Sequence, residues 1–261
     1  MNLPGLLVWI TGLVVFLFFK EERNFKVLAI TFLFVLAILL LTHGKSYYTL
    51  GAYTLMLALG GYAVEKYYSR FMKIAGLAFI VILALPVIPF SLPIMDFPAM
   101  EKYSAPMAEF TNRWEDGKKH RLPQDYADMT GWKELSDIVI LVYDSLTPAE
   151  KKECNIYAEN YGQAGAIYYY GEKYNLPRPI SFSDNFLLWA PDSINKSNLI
   201  YVNDEVGDIK FLFKKYELKG TVNDPYFREN GLMVFYCTEP SDDFKNFYSK
   251  KVKELKKVYI R

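Results

Sequence analysis

The sequence predicts a membrane α-helical segment followed by a soluble α/β domain. Three observations predict it. Four uncharged apolar runs, near residues 3–19, 27–42, 49–64 and 74–92, are separated only by short polar loops. Charged residues then return at the density of an ordinary globular domain. Between residues 155 and 258, strand-like and helix-like stretches alternate. The expected organisation is a helical region over residues 1–94, with about four transmembrane helices. An extracytoplasmic domain over residues 95–261 follows, built as a three-layer α/β fold with a mostly parallel sheet.

The averages conceal this division. The chain has 261 residues, is 52% hydrophobic and 17% aromatic, and carries a formal net charge of +1. Residues 1–92 hold seven Lys/Arg and three acids, leaving 23 basic and 26 acidic residues in the remainder. A cationic apolar half thus precedes a mildly acidic one. No basic block points to nucleic acid, and the Lys spacing of the final SKKVKELKKVYIR suits a solvated helix face. Cys154 and Cys237 sit in apolar, strand-like runs. They allow one disulfide at most, and two buried free thiols is the plainer reading. With no CxxC and two His in the chain, a zinc site held by the protein is not expected.

Each apolar run has its own logic. The first ends at Lys20-Glu21-Glu22-Arg23, whereas a signal peptide has its cation before the apolar core, so the run reads as a span. The third carries Gly51, Ala52, Ala58, Gly60, Gly61 and Ala63, small residues that let a second helix approach its backbone. The fourth is interrupted late by Pro86, Pro89 and Pro93. The loops at 20–26 and 65–73 carry three Lys/Arg each and the loop at 43–48 carries one. The positive-inside rule puts the two basic loops in the cytoplasm, and the 43–48 loop and everything beyond residue 92 outside it. In that outer loop, Lys45 with Tyr47 and Tyr48 puts a cation and hydrogen-bonding rings at headgroup depth, where a phosphate is held. Lys45 reads equally as a plain topological anchor.

In the second half, residues 93–123 read as an irregular connector. Asp125 or Asp128 is expected to cap a helix running through Trp132 and Leu135, and residues 137–146 to continue it or form a buried strand. Thr147-Pro148-Ala149-Glu150 is a helix start. Strands are expected at 155–159, 179–182, 199–202, 216–222 and 232–237, with antiparallel pairing left open for the last ones. Helices are expected at 163–174, 206–213 and 242–258. Ligands of such sheets sit beyond the carboxyl ends of the strands, here the loops at 160–162, 182–185 and 203–205. Asn160, Tyr161, Gly162 and Gln163 open a helix whose first N–H groups suit an anion or a sugar hydroxyl. Trp189 offers a face for a sugar ring. The alternative is that Asn160 and Gly162 make a tight turn and Trp189 fills core. No Ser/His/Asp set stands out, and neither His43 nor His120 lies near a nucleophile in sequence.

Taken together, GKSYYTLGAYTLMLALGG, LPQDYADMTGW, AENYGQAGAIYYYGEKYNLPRPIS and the later Trp189-Ala190-Pro191 resemble the polyprenyl-phosphate-sugar-dependent membrane glycosyltransferases. The chain is similar to the ArnT-like aminoarabinose and protein O-mannosyltransferase group, of the GT-C, glycosyltransferase-39-like kind. Order and spacing carry the likeness, which covers nearly the whole chain but only the family's C-terminal part. The resemblance implies a multi-pass protein of the bacterial inner membrane that moves a sugar from a polyprenyl-phosphate carrier to an extracytoplasmic lipid or protein. It implies that Lys45, Tyr47 and Tyr48 meet the carrier phosphate, and that the partners are the donor lipid, the bilayer and an N-terminal transmembrane bundle. It implies no organic cofactor, and metal dependence varies within the group. The family's catalytic acid lies in a first outer loop that has no counterpart here, so no catalytic residue is expected in this chain. The expectation is a C-terminal portion or split product of such an enzyme. The alternative is a non-enzymatic, membrane-anchored module that binds a glycan or a protein.

Overall fold

A computed structural model of the chain describes residues 5–44 and 46–259. It divides into two compact units, Met1–Ile94 and Met95–Arg261.

The first unit is helical: α1 (Leu6–Phe18), α2 (Lys26–Leu41, entered through the 3-10 turn Lys20–Phe25), α3 (Leu50–Tyr67) and α4 (Arg70–Ala84). The expectation of about four spans is corrected. Among the described residues two helices are long and apolar enough to cross a bilayer, Lys20–Leu41 and Arg70–Ser91, each 22 residues with mean hydropathy 2.5. At 13 residues α1 falls short of the ~20 a span needs. The 18 residues of α3 suffice in length, but its tyrosines, glycines and Glu65-Lys66 make it too polar. Pro86 tightens the fourth run to a 3-10 turn, Leu85–Val87, rather than ending it.

α1 and α3 approach at their glycines. A Cβ on Gly12 would lie 2.6 Å from the Gly60 nitrogen, and one on Gly60 would lie 2.0 Å from the Val8 carbonyl oxygen. Gly51 and Gly61 face open space. Only part of the small-residue stripe therefore serves packing. Trp9, Phe32 and Tyr53 form an aromatic cluster with centroids 5.4–5.8 Å apart. Glu22, 3% exposed, accepts from Lys66 Nζ at 2.6 Å and from the Tyr67 hydroxyl at 3.0 Å, so the two basic loops meet. A buried carboxylate persists only with such partners.

The second unit is built on a four-stranded sheet in the order β1-β2-β4-β3. Its strands are β1 (Cys154–Ala158), β2 (Asn198–Asn203), β3 (Phe213–Thr221) and β4 (Met233–Pro240). The expectation of a mostly parallel three-layer α/β domain is overturned. β1 and β2 pair parallel, but β4 runs antiparallel to both β2 and β3. β3 and β4 are successive and close as a hairpin, and β4 then covers the edge of β2. The stretch at 179–182 is no strand. Ile180 makes one isolated bridge to Tyr157, since Pro177 and Pro179, both just before it, remove ladder donors.

Alternation along the strands sends side chains to opposite faces. Ile156, Ile200, Val202 and Val234 pack with Leu135, Val139 and Ile167 of the helices Trp132–Asp144 and Tyr161–Gly171. Leu199, Tyr201, Phe235 and Cys237 pack with Phe244, Tyr248 and Val252 of the helix Phe244–Tyr259. Cys154 and Cys237 are free and fall in different clusters, and burial pushes each thiol up to about 12. Neither aspartate caps the helix Trp132–Asp144, whose start is Gly131 in the left-handed region at φ 80°. The expected helix at 206–213 shrinks to one turn, Ile209–Leu212, and Asp184–Trp189 forms a short helix to which the sequence reading assigned no element.

Candidate functional site

Of the outer-loop residues, Lys45 lies outside the described residues. Tyr47 and Tyr48 belong to the 3-10 turn Ser46–Thr49, are more than half exposed, and pack edge to face at 4.7 Å.

In the second unit the carboxyl ends of β1 and β2 open on a polar cleft of about 510 Å³. Three separate stretches line it. The first is the strand-to-helix corner. Asn160 caps the helix Tyr161–Gly171 by accepting from the Gln163 N–H at 3.0 Å, and the Gln163 side chain accepts from the Glu159 N–H at 3.0 Å. This reciprocal cap satisfies donors that an outside anion would otherwise claim. Gly162 lets the corner pass close to Trp132, whose ring would lie 3.0 Å from a Cβ there, and Tyr161 is exposed.

The second stretch supplies the anion. The Glu229 carboxylate accepts from Gln163 Nε2 at 2.8 Å and from Asn160 Nδ2 at 3.1 and 3.3 Å. The protein's own carboxylate therefore occupies the donors the corner offers. Arg228 beside it reaches Asp128 with Nε at 3.1 Å and a terminal nitrogen at 3.2 Å, and its N–H donates to the Ala127 carbonyl. That is the structural work of LPQDYADMTGW: it anchors the 224–232 loop. Thr130 donates to Asp224 and Phe227 packs edge-on to Trp132 at 4.8 Å.

The third stretch comes from the connector. A short turn, bridged at Arg113 and Lys119 and closed by Gly117 at φ 73°, brings Trp114, Glu115, Asp116 and His120 to the cleft. His120 stacks on Trp114 at 3.5 Å with an 8° tilt, and its Nε2 is 2.9 Å from Asp116 Oδ2. The Trp114 indole N–H donates to the Leu122 carbonyl at 2.8 Å, which fixes the ring pair.

Two carboxyl groups in the cleft are shifted in opposite senses. Burial, with Asp208 and Asp204 close by, holds Glu159 above the usual carboxylate range. The Lys118 N–H and then His120 hold Asp116 below it. Glu159 thus takes up a proton more readily, and Asp116 less readily, than an ordinary carboxyl group.

Asn160 and Gln163 line the cleft and Asn203 joins them, so this part of the sequence reading meets the cavity. Trp189 is elsewhere: it is half exposed, lies edge-on to Phe186, and carries the Arg178 guanidinium 4.6 Å above its ring. Glu229 and the Trp114–His120 pair escape sequence reasoning because 66 or more residues separate Glu229 from its partners and the connector has no period to read. Acids next to a tryptophan at 114–116 were the available signal. Among the described residues no cluster of three or more His, Cys, Asp or Glu has the arrangement of a metal site. No family model, curated protein or solved structure matches this chain.

Proposed function

We propose that the chain is a membrane-anchored protein whose 95–261 unit binds a hydroxyl-rich ligand, a sugar. We further propose that it acts as the C-terminal portion of a glycosyltransferase using a polyprenyl-phosphate donor in the bacterial inner membrane. The polar cleft carries the binding part of this reading. Carboxylates on its walls accept from hydroxyls, and the Trp114–His120 pair supplies a flat, weakly polar surface for the C–H face of a ring. In the transfer part, Lys45 meets the carrier phosphate. That phosphate gains charge as it leaves, so a cation there stabilises the transition state more than the ground state.

The test uses the full chain in lipid nanodiscs and a panel of monosaccharides, read by saturation-transfer NMR. At least one sugar is expected to bind, and Glu115→Gln with Asp204→Asn to weaken it tenfold or more. Absence of any sugar contact, or equal binding by the variant, overturns the reading. For the transfer part, Lys45→Ala is expected to lower turnover of the lipid-linked sugar far more than Lys20→Ala. Equal turnover removes Lys45 from the reaction, and sugar binding without transfer leaves a glycan-binding module.

A further inference from the structure

The sheet has a second cavity, of about 350 Å³, against the helix Phe244–Tyr259. Among the described residues it shares only Glu159 with the polar cleft. Its walls are aromatic. Tyr157 and Tyr201 stack at 5.8 Å with a 10° tilt, Phe182 packs edge-on to Tyr157 at 5.3 Å, and Phe247 and Tyr248 face them from the helix. Two of the hydroxyls are engaged: Tyr248 donates to the Pro191 carbonyl, and Tyr201 accepts from Asn203, each at 2.8 Å. The charged groups on the lining are Glu159, Asp208 and Lys251, and among the described residues none of the three forms an ion pair.

This combination specifies an occupant. Two carboxylates against one ammonium leave the cavity one negative charge in excess. Aromatic faces carry the negative side of a quadrupole and attract cations, while their area rewards burial of an apolar body. An anion would meet both carboxylates, which lie exposed at the edge of the cavity, and a purely apolar molecule would leave their charge unused. The volume is at the small end of ligand sites, about 300–1,000 Å³, which suits one ring with a short chain. We infer that this cavity binds a small organic ammonium ion with an aromatic or branched apolar body, its nitrogen held by Glu159 and Asp208 and its body by the Tyr157–Tyr201 stack. This site lies on a different face from the sugar reading and stands without it.

The experiment is isothermal titration of phenethylamine into the full chain in nanodiscs at neutral pH, with empty nanodiscs as the reference. Saturable binding is expected. Asp208→Asn, which changes charge at nearly constant shape, is expected to weaken it tenfold or more, and Glu159→Gln similarly. Leu212→Trp fills the cavity and is expected to abolish binding with the circular dichroism spectrum retained. Asp137→Asn, an exposed position on another helix, is expected to bind like the wild type. No saturable heat at millimolar phenethylamine overturns the inference. So does 3-phenylpropionate binding as tightly as phenethylamine, or wild-type affinity in either Asp208→Asn or Leu212→Trp.

Discussion

Replacing Gly60 by alanine is expected to unfold the first unit at a markedly lower temperature, while the same change one residue later is not. The added Cβ at 60 would sit 2.0 Å from the Val8 oxygen and 2.6 Å from the Val8 carbonyl carbon, which are backbone atoms that no rotamer change can move. α1 must therefore retreat and loosen its contacts at Gly12, Val15 and Phe16, all buried. Overpacking of this kind costs roughly 1–3 kcal/mol and more where backbone is struck. The helical preference of Ala over Gly returns about 1 kcal/mol, so from the upper end of that range the net loss is about 2 kcal/mol. Gly61 meets nothing within 4 Å, so Gly61→Ala keeps only the helical gain and is expected to melt at or above the wild-type temperature. Thermal unfolding of the full chain in one detergent measures both. Coincident melting of Gly60→Ala and wild type would show that the two helices do not touch there.

The second large effect is expected at Gly131, where the turn after Asp128 enters the helix Trp132–Asp144. Its φ is 80°, and an added Cβ would lie 2.2 Å from Phe227 Cγ. Phe227 is 3% exposed and held edge-on to Trp132, so its ring has nowhere to go. A left-handed backbone costs an L-residue about 1–2 kcal/mol, and the collision adds about as much, giving roughly 3 kcal/mol for Gly131→Ala. Gly231→Ala separates the two causes. Its φ is 96° but nothing lies within 4 Å, so only the conformational cost applies. Hydrogen exchange at the helix Trp132–Asp144 reads the difference. Equal protection in both variants would show that the Phe227 contact contributes nothing. Because Arg228 and Glu229 follow Phe227 directly, Gly131→Ala is also expected to disturb the polar cleft.

Features decided within about four residues were legible. Thr147-Pro148-Ala149-Glu150 caps Pro148–Lys152 with a full capping box, and Asn160 with Gln163 does the same for Tyr161–Gly171. The strand Leu199–Val202 was readable as a short continuous apolar run, and all four residues are buried. Expectations that depended on pairing failed. Alternating strand and helix suggested parallel neighbours, yet β4 entered between β2 and β3. Trp189 was assigned to a ligand or to core, and it stacks instead under Arg178, 11 positions earlier in the chain.

By itself the sequence determined the helix start at Thr147-Pro148, which strand residues are apolar, the contrast between a basic apolar half and an acidic polar one, and the small residues available for close helix contact. These follow from backbone hydrogen bonding and side-chain transfer energies, which act over one or two turns. The tertiary structure decided strand order, which glycines of α3 are struck, and the joining of 114–120, 159–163 and 228–232 into one polar cleft. Those outcomes require distant segments to bury both faces of one sheet at once, and to satisfy the amide donors of Asn160 and Gln163 with a carboxylate supplied 66 or more residues away. No local window contains both partners of such a contact, so only the folded chain selects them.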